Sequence, residues 1–205
     1  VTVEPTASFW DCGEFIATSY KLEVPHPPGA PFFLLMGRMF SLFAGNDVEQ
    51  VAFWVNMLSV FSAAFTILFL FWSITHLAKK MLIKADEILN TGQIIAVMGA
   101  GLVGGLVCTF SDSIWFSAVE AEVYAMSSFF TAFVFWAILK WETIGDESDH
   151  NKWLILIAYM MGLSIGVHLL NLVTIPALGL IVYFKYVKKI TLKGVLMTLL
   201  TSEGI

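Results

Sequence analysis

Long apolar runs alternate with short polar connections along this chain, and the runs are too long and too continuous for a soluble core. Residues 51–75 contain no charged side chain and are closed by His76, Lys79, Lys80 and Lys84. That run exceeds the ~20 apolar residues a helix needs to cross a hydrocarbon layer about 30 Å thick. A second span is predicted over 93–110, where Gly101-x-x-x-Gly105 permits close approach of a neighbouring helix. A third is predicted over 123–139. Two shorter ones, 153–166 and 172–186, are separated only by Val167-His168-Leu169-Leu170-Asn171, and read as a tight outer reversal or as tilted, half-buried helices. Residues 192–205 read as the start of a further span. The pattern predicts an all-α, polytopic membrane protein with about five transmembrane helices in this piece.

Lysines set the orientation. The connection 76–93 and the cluster Lys185, Lys188, Lys189 and Lys193 are basic and separated by an even number of crossings, so both belong on the cytoplasmic side, with the polar loop 140–152. Residues 1–50 and 111–122 then lie outside. An outer first segment calls for a preceding span or signal, and Val1 in place of Met fits a piece whose beginning lies elsewhere. The whole of 1–205 reads as one partial membrane domain: a first outer loop over 1–50, then the helical bundle.

Composition narrows the function classes. With 58% hydrophobic and 13% charged residues and a mean hydropathy of +0.81, no large soluble lobe fits. A net charge of −5 gives no basic footprint for nucleic acid. Cys12 and Cys108 supply neither a disulfide framework nor zinc-ligand spacing, and no metal motif is expected.

With the spans placed, Asp11, Glu14, His26, Asp112, Glu120, Glu122, His168 and Asn171 all fall at the outer face, although they come from three separate connections. Asp11 and Glu14, three apart, share a helical face. They are candidates for joint chemistry, or for capping through Ser8-x-x-Asp11. His26-Pro27-Pro28-Gly29-Ala30-Pro31 is a stiff turn that fixes the imidazole and ends with a proline suited to a first helical turn. Residues 31–43 are apolar but too short to span, and predict an interfacial helix. Its Arg38 either snorkels to headgroups or grips a lipid-linked phosphate with its planar fork. Trp115 and Tyr124 are interface anchors. Glu120 shares a helical face with Tyr124, whereas Glu122 points elsewhere, so at most one of these glutamates is expected in a common cavity. His168 and Asn171 sit at the mouth of the shortest hairpin, as ligands or as a satisfied interior pair.

The motifs Asp11-Cys12-Gly13-Glu14-Phe15-Ile16-Ala17, His26-Pro27-Pro28-Gly29, Gly37-Arg38-Met39-Phe40-Ser41, Phe110-Ser111-Asp112, Val119-Glu120-Ala121-Glu122-Val123-Tyr124 and Gly166-Val167-His168-Leu169-Leu170-Asn171 occur in order over nearly the whole chain. In them the chain resembles the bacterial protein O-mannosyltransferase-like membrane family, which has vertebrate relatives. That family is similar to the GT-C glycosyltransferases, multi-pass enzymes that take a sugar from a polyprenyl-phosphate carrier on the non-cytoplasmic side. The resemblance implies a GT-C-like bundle in a bacterial inner membrane, its active face to the periplasm, moving a hexose such as mannose to a protein hydroxyl with inversion. It implies Asp11 as catalytic base with Glu14 as the alternate. His26, Arg38 and His168 become candidates to stabilise the leaving phosphate, and Glu120 and Glu122 to orient sugar or acceptor. Asp112 and Asn171 are carried as further substrate-binding candidates. The expected partners are the bilayer, the lipid-linked sugar donor and a protein acceptor; no cofactor is specified. This piece departs from the family in lacking its first span, later spans and large C-terminal region. Two other classes remain open on the residues alone: a lipid-linked-sugar flippase, which would need polar groups at mid-membrane, and a noncatalytic scaffold of an envelope or secretion complex.

Overall fold

The computed structural model describes residues 2–82, 89–144 and 150–203. Among them there are helices and no strands. Lys84 and the acidic stretch 145–149, which entered the reading of the inner loops, lie outside the described residues.

Two short helices form the outer layer. Helix α1 (Cys12–Lys21) stops at Leu22, whose left-handed backbone (φ 55°) turns its N–H back to the Thr18 carbonyl. Helix α2 (Pro31–Ser41) starts on a proline, which loses no needed donor there. The two helices pack so closely at Gly37 that a Cβ would come within 2.5 Å of Ser19 Oγ.

Beneath them, α3 (Val51–Leu82) is 32 residues long, about 48 Å at 1.5 Å per residue, and overruns the hydrocarbon layer. Helix α4 (Thr91–Thr109) opens with a reciprocal cap in which Asn90 and Gln93 satisfy each other's backbone N–H groups. It leans on α3 through Gly101 and Gly105. A Cβ at Gly101 would meet Thr75 and Phe71 below 3 Å, and one at Gly105 would touch Ile67, so the Gly-x-x-x-Gly spacing does set a close seam. Helix α5 (Asp112–Val119) is a short outer helix, and α6 (Val123–Thr143) returns through the centre of the bundle against α3.

Helix α7 (His150–Ile165) has only 16 residues. Four helical stretches are long and apolar enough to cross a membrane, Val48–Leu82, Thr91–Thr109, Val123–Thr143 and Leu169–Tyr186, and α7 is not one of them. The reason lies at Gly166. Its carbonyl accepts from the Phe32 N–H at 2.7 Å and its Cα sits against Phe32, where a Cβ would come within 2.8 Å. The chain breaks there and climbs through a 3₁₀ segment, Leu169–Thr174, into α8 (Ile175–Tyr186), after which α9 (Leu192–Glu203) packs back on α8.

Two apolar clusters hold this frame. Phe15, Phe33, Val55, Phe130 and Val167 join the outer layer to α3, α6 and the Gly166 turn. Val134, Ala137, Ile138, Trp141 and Ile157 join α6 to α7. The first cluster lies directly under the outer polar residues, so their positions rest on packed side chains rather than on loop conformation.

Candidate active site

Asp11 ends the turn before α1, and its side chain is about half exposed. It stands at the helix start with its own backbone already helical and makes no side-chain cap, so the capping reading of Ser8-x-x-Asp11 is not what the residues do. Ser8 instead donates its hydroxyl to Glu120, 112 residues away. Glu14, in the first turn of α1, is spent on His26: one carboxylate oxygen accepts from the His26 backbone N–H at 2.7 Å and the other from ring Nδ1 at 2.9 Å. This double grip leaves Nε2 facing Asp11 at 3.9 Å. The hydrogen bond from His26 holds the Glu14 carboxyl below its ordinary range, and the same bond raises the His26 imidazole.

Glu120 and Glu122 lie where the chain is extended between α5 and α6, with ψ of 158° and 148°. Helical-face reasoning therefore does not apply to them, and the pairing it predicted is corrected. It is Glu122, not Glu120, that shares a cavity with Tyr124. Both glutamates are buried, at 3% and 7% exposure. Burial first, then the neighbouring charges of Asp11 and Glu120, push the Glu122 carboxyl up to about 7. On the opposite wall, His168 accepts from the Leu170 N–H on Nδ1 at 3.0 Å. Its neutral tautomer must then carry the proton on Nε2. Its ring lies 5.6 Å from that of Tyr124.

These pieces enclose a pocket of about 70 Å³ whose walls include Asp11, Phe15, His26, Glu122, Tyr124 and His168. A larger cavity of about 500 Å³ lies between α3, α5 and Val3, but no ionisable side chain lines it. The ionisable side chains gather at the smaller one. Asp11, Glu14 and His26 also present ligand atoms within 4.8 Å of one another, the spacing a divalent cation requires, a capacity the sequence spacing did not reveal.

Other predicted site residues are placed elsewhere. Arg38 donates to the Tyr20 carbonyl at 2.8 Å and lies over the Tyr20 ring, closing the end of α1 rather than lining the pocket. Asp112 is exposed at the start of α5 and is not among the lining residues. Asn171 is fully buried; it donates to Ser164 and accepts from Thr131, tying α6 to α7 beneath the pocket.

One residue that bears on the site was missed. Asn56 is fully buried in α3 and donates to the carbonyls of Glu4 and Thr6, while its own carbonyl oxygen accepts from the Cys12 thiol at 3.7 Å. With Ser8 on Glu120 and the Glu4 N–H on the Val119 carbonyl, it pins the chain preceding Asp11 against the bundle. Its signal was a lone amide inside an apolar run, which points to the protein interior.

The sequence profile of the family described as "Protein O-mannosyl-transferase TMEM260 N-terminal domain" matches residues 11–191, from Asp11 through every pocket residue. The chain belongs to this family. Among curated relatives in it, the Dictyostelium discoideum protein named protein O-mannosyl-transferase tmem260 is 26% identical over 137 residues, covering 64% of this chain and 14% of its own. The Mus musculus protein of the same name is 28% identical over 156 residues, covering 76% of this chain and 19% of its own. The chain thus spans about a fifth or less of the relatives it matches. No solved structure matches it. Family and apolar helices together make this an integral membrane protein.

Proposed function

We infer that this chain carries the catalytic pocket of a GT-C-like, inverting protein O-mannosyltransferase. On this reading it transfers a hexose, mannose in the relatives' names, from a polyprenyl-phosphate carrier to a protein hydroxyl on the non-cytoplasmic face, periplasmic in a bacterial inner membrane. The observation that supports it best is the convergence of Asp11, His26, Glu122 and His168, from three separate connections, on one pocket at the outer end of the bundle.

In this reading Asp11 takes the proton from the acceptor hydroxyl as that oxygen bonds to the anomeric carbon. The bond from that carbon to the carrier phosphate breaks on the opposite face, and its electron pair leaves with the phosphate. A carboxylate within hydrogen-bond reach of the acceptor contributes about 10²–10⁴-fold. Glu14 acts through His26, which it orients with both oxygens; His26 then brings positive charge beside Asp11. Glu122, buried and titrating near 7, and the Nε2–H of His168 supply hydrogen bonds to sugar or acceptor hydroxyls. Arg38 keeps a role towards the carrier only at the C-terminal end of α1, where its Nη1 donates to the Tyr20 carbonyl and the Ser41 hydroxyl and its other guanidinium donors are left for a phosphate.

The test is transfer from labelled polyprenyl-phosphate mannose by the full-length protein. Asp11→Asn should retain donor binding and lose turnover, while Glu14→Gln should lose less. Undiminished transfer by Asp11→Asn would remove this carboxylate from the chemistry.

A further inference from the structure

We propose that a second pocket, at the inner end of the bundle, binds the phosphate of an anionic membrane lipid. The cavity, about 400 Å³, opens between α3, α4 and α6, and Trp72, His76, Lys79, Trp136 and Lys140 supply its polar and aromatic walls. From Asn56, at the level of the outer site, to His76 is about 30 Å along α3 at 1.5 Å per residue, one hydrocarbon thickness. The pocket therefore sits at the opposite membrane surface, the one to which the lysine-rich connections assign the cytoplasmic leaflet.

Three observations select the ligand. First, the charges are available. Lys80 is engaged by Glu142 at 2.5 Å, which clamps α3 to α6 beside the pocket. Lys79 and Lys140 are exposed and, among the described residues, neither has an anionic partner; Lys140 only lies 6.0 Å over the Trp136 ring. Second, the Nε2 atom of His76 is buried with no hydrogen-bond partner. Buried polar atoms are seldom left unpaired, and a turn of the ring towards the cavity that His76 lines would offer this one to an anionic oxygen. Third, Trp72 and Trp136 lie with ring centroids 5.5 Å apart beside the two lysines, an aromatic surface of the kind found at headgroup depth. Basic pockets between membrane helices on this side take anionic lipid headgroups. A diester phosphate would sit between Lys79 and Lys140 with an oxygen on His76, and its acyl chains would follow the apolar face of α4, where Ile95, Leu102 and Val103 are exposed.

The experiment titrates delipidated full-length protein with short-chain phosphatidylglycerol or phosphatidylcholine and counts bound lipid by native mass spectrometry. Phosphatidylglycerol should bind at least tenfold more tightly. Each of Lys79→Gln and Lys140→Gln should weaken it about fivefold, the effect of one lysine at an anionic surface. Lys188→Gln, an equal loss of charge elsewhere, should leave it unchanged. Equal retention of the two lipids, or the same loss in Lys188→Gln, would overturn the proposal. So would displacement of the lipid by millimolar inorganic phosphate on the unaltered protein, which would make the ligand a free anion. Sugar transfer is not read, so this result stands apart from the fate of the outer pocket.

Discussion

The two ends of α3 carry opposite solutions to the same problem of placing charge beside a membrane. At the outer end the charges are acidic and several are fixed by hydrogen bonds: buried Glu120 is held by Ser8, Glu14 by His26, and Asn56 anchors the chain that precedes Asp11. At the inner end Lys79, Lys80 and Lys140 are basic and exposed, and the ion pair Lys80–Glu142 joins two helices. Placement to within a fraction of an ångström suits a group that must meet a reacting atom. Exposed lysines suit an anionic lipid surface. The difference predicts that substitutions outside change chemistry and fold, whereas substitutions inside change affinity by small steps.

The largest effect expected is at Asp11. Asp11→Asn should lower turnover by about 10²-fold or more with the donor's apparent affinity preserved, measured by donor titration of the full-length protein. The comparison breaks if the Asp11 carboxylate proves as replaceable as an inner lysine. Next is Asn56→Leu, which strands the Glu4 and Thr6 carbonyls. It should cost about 1–3 kcal/mol of stability, read as a lower unfolding midpoint in detergent.

A pH experiment sharpens the contrast further. Because Glu122 titrates near 7 in the folded protein against an ordinary value of 4.5, the folded state holds an extra proton between those limits. The contribution of Glu122 to stability therefore falls as pH rises from about 4.5 to about 7 and stays lost above. Glu122→Gln should match the unaltered protein's melting temperature near pH 4.5 and exceed it at pH 8; parallel curves would refute the buried-carboxyl assignment. The smallest effect belongs to the inner pair. A double-mutant cycle on Lys80→Ala and Glu142→Ala should give a coupling under about 1 kcal/mol, the usual worth of an exposed ion pair, and less at high salt.

Apolar runs and lysine positions made the helices legible, because hydrocarbon admits few alternatives to a helix. The Gly101–Gly105 seam was readable for the same reason. Three features were not. The extended break at Glu120–Glu122 lies between helix-forming segments and is held by contacts from Ser8 to Glu120 and from Glu4 to Val119, far apart in sequence. The early end of α7 depends on Phe32 reaching Gly166, a contact between distant segments that spacing cannot reveal. Arg38 was chemically suited to phosphate, yet its nearest acceptor is the Tyr20 carbonyl exposed by the left-handed turn at Leu22. Sorting residues by expected membrane side put Asp11, Asp112, Glu120 and Glu122 in one group; that Asp11 and Glu122 share a cavity required the tertiary contacts.

The clasp of Ser8 on Glu120 also sets a schedule. Its two halves are separated by 112 residues. At about 5–20 residues per second of synthesis, roughly 6–20 seconds pass between their emergence. Through that interval Asp11 has emerged and Glu122 has not. The pocket is therefore complete only once the chain has been threaded as far as His168, which forms part of its wall.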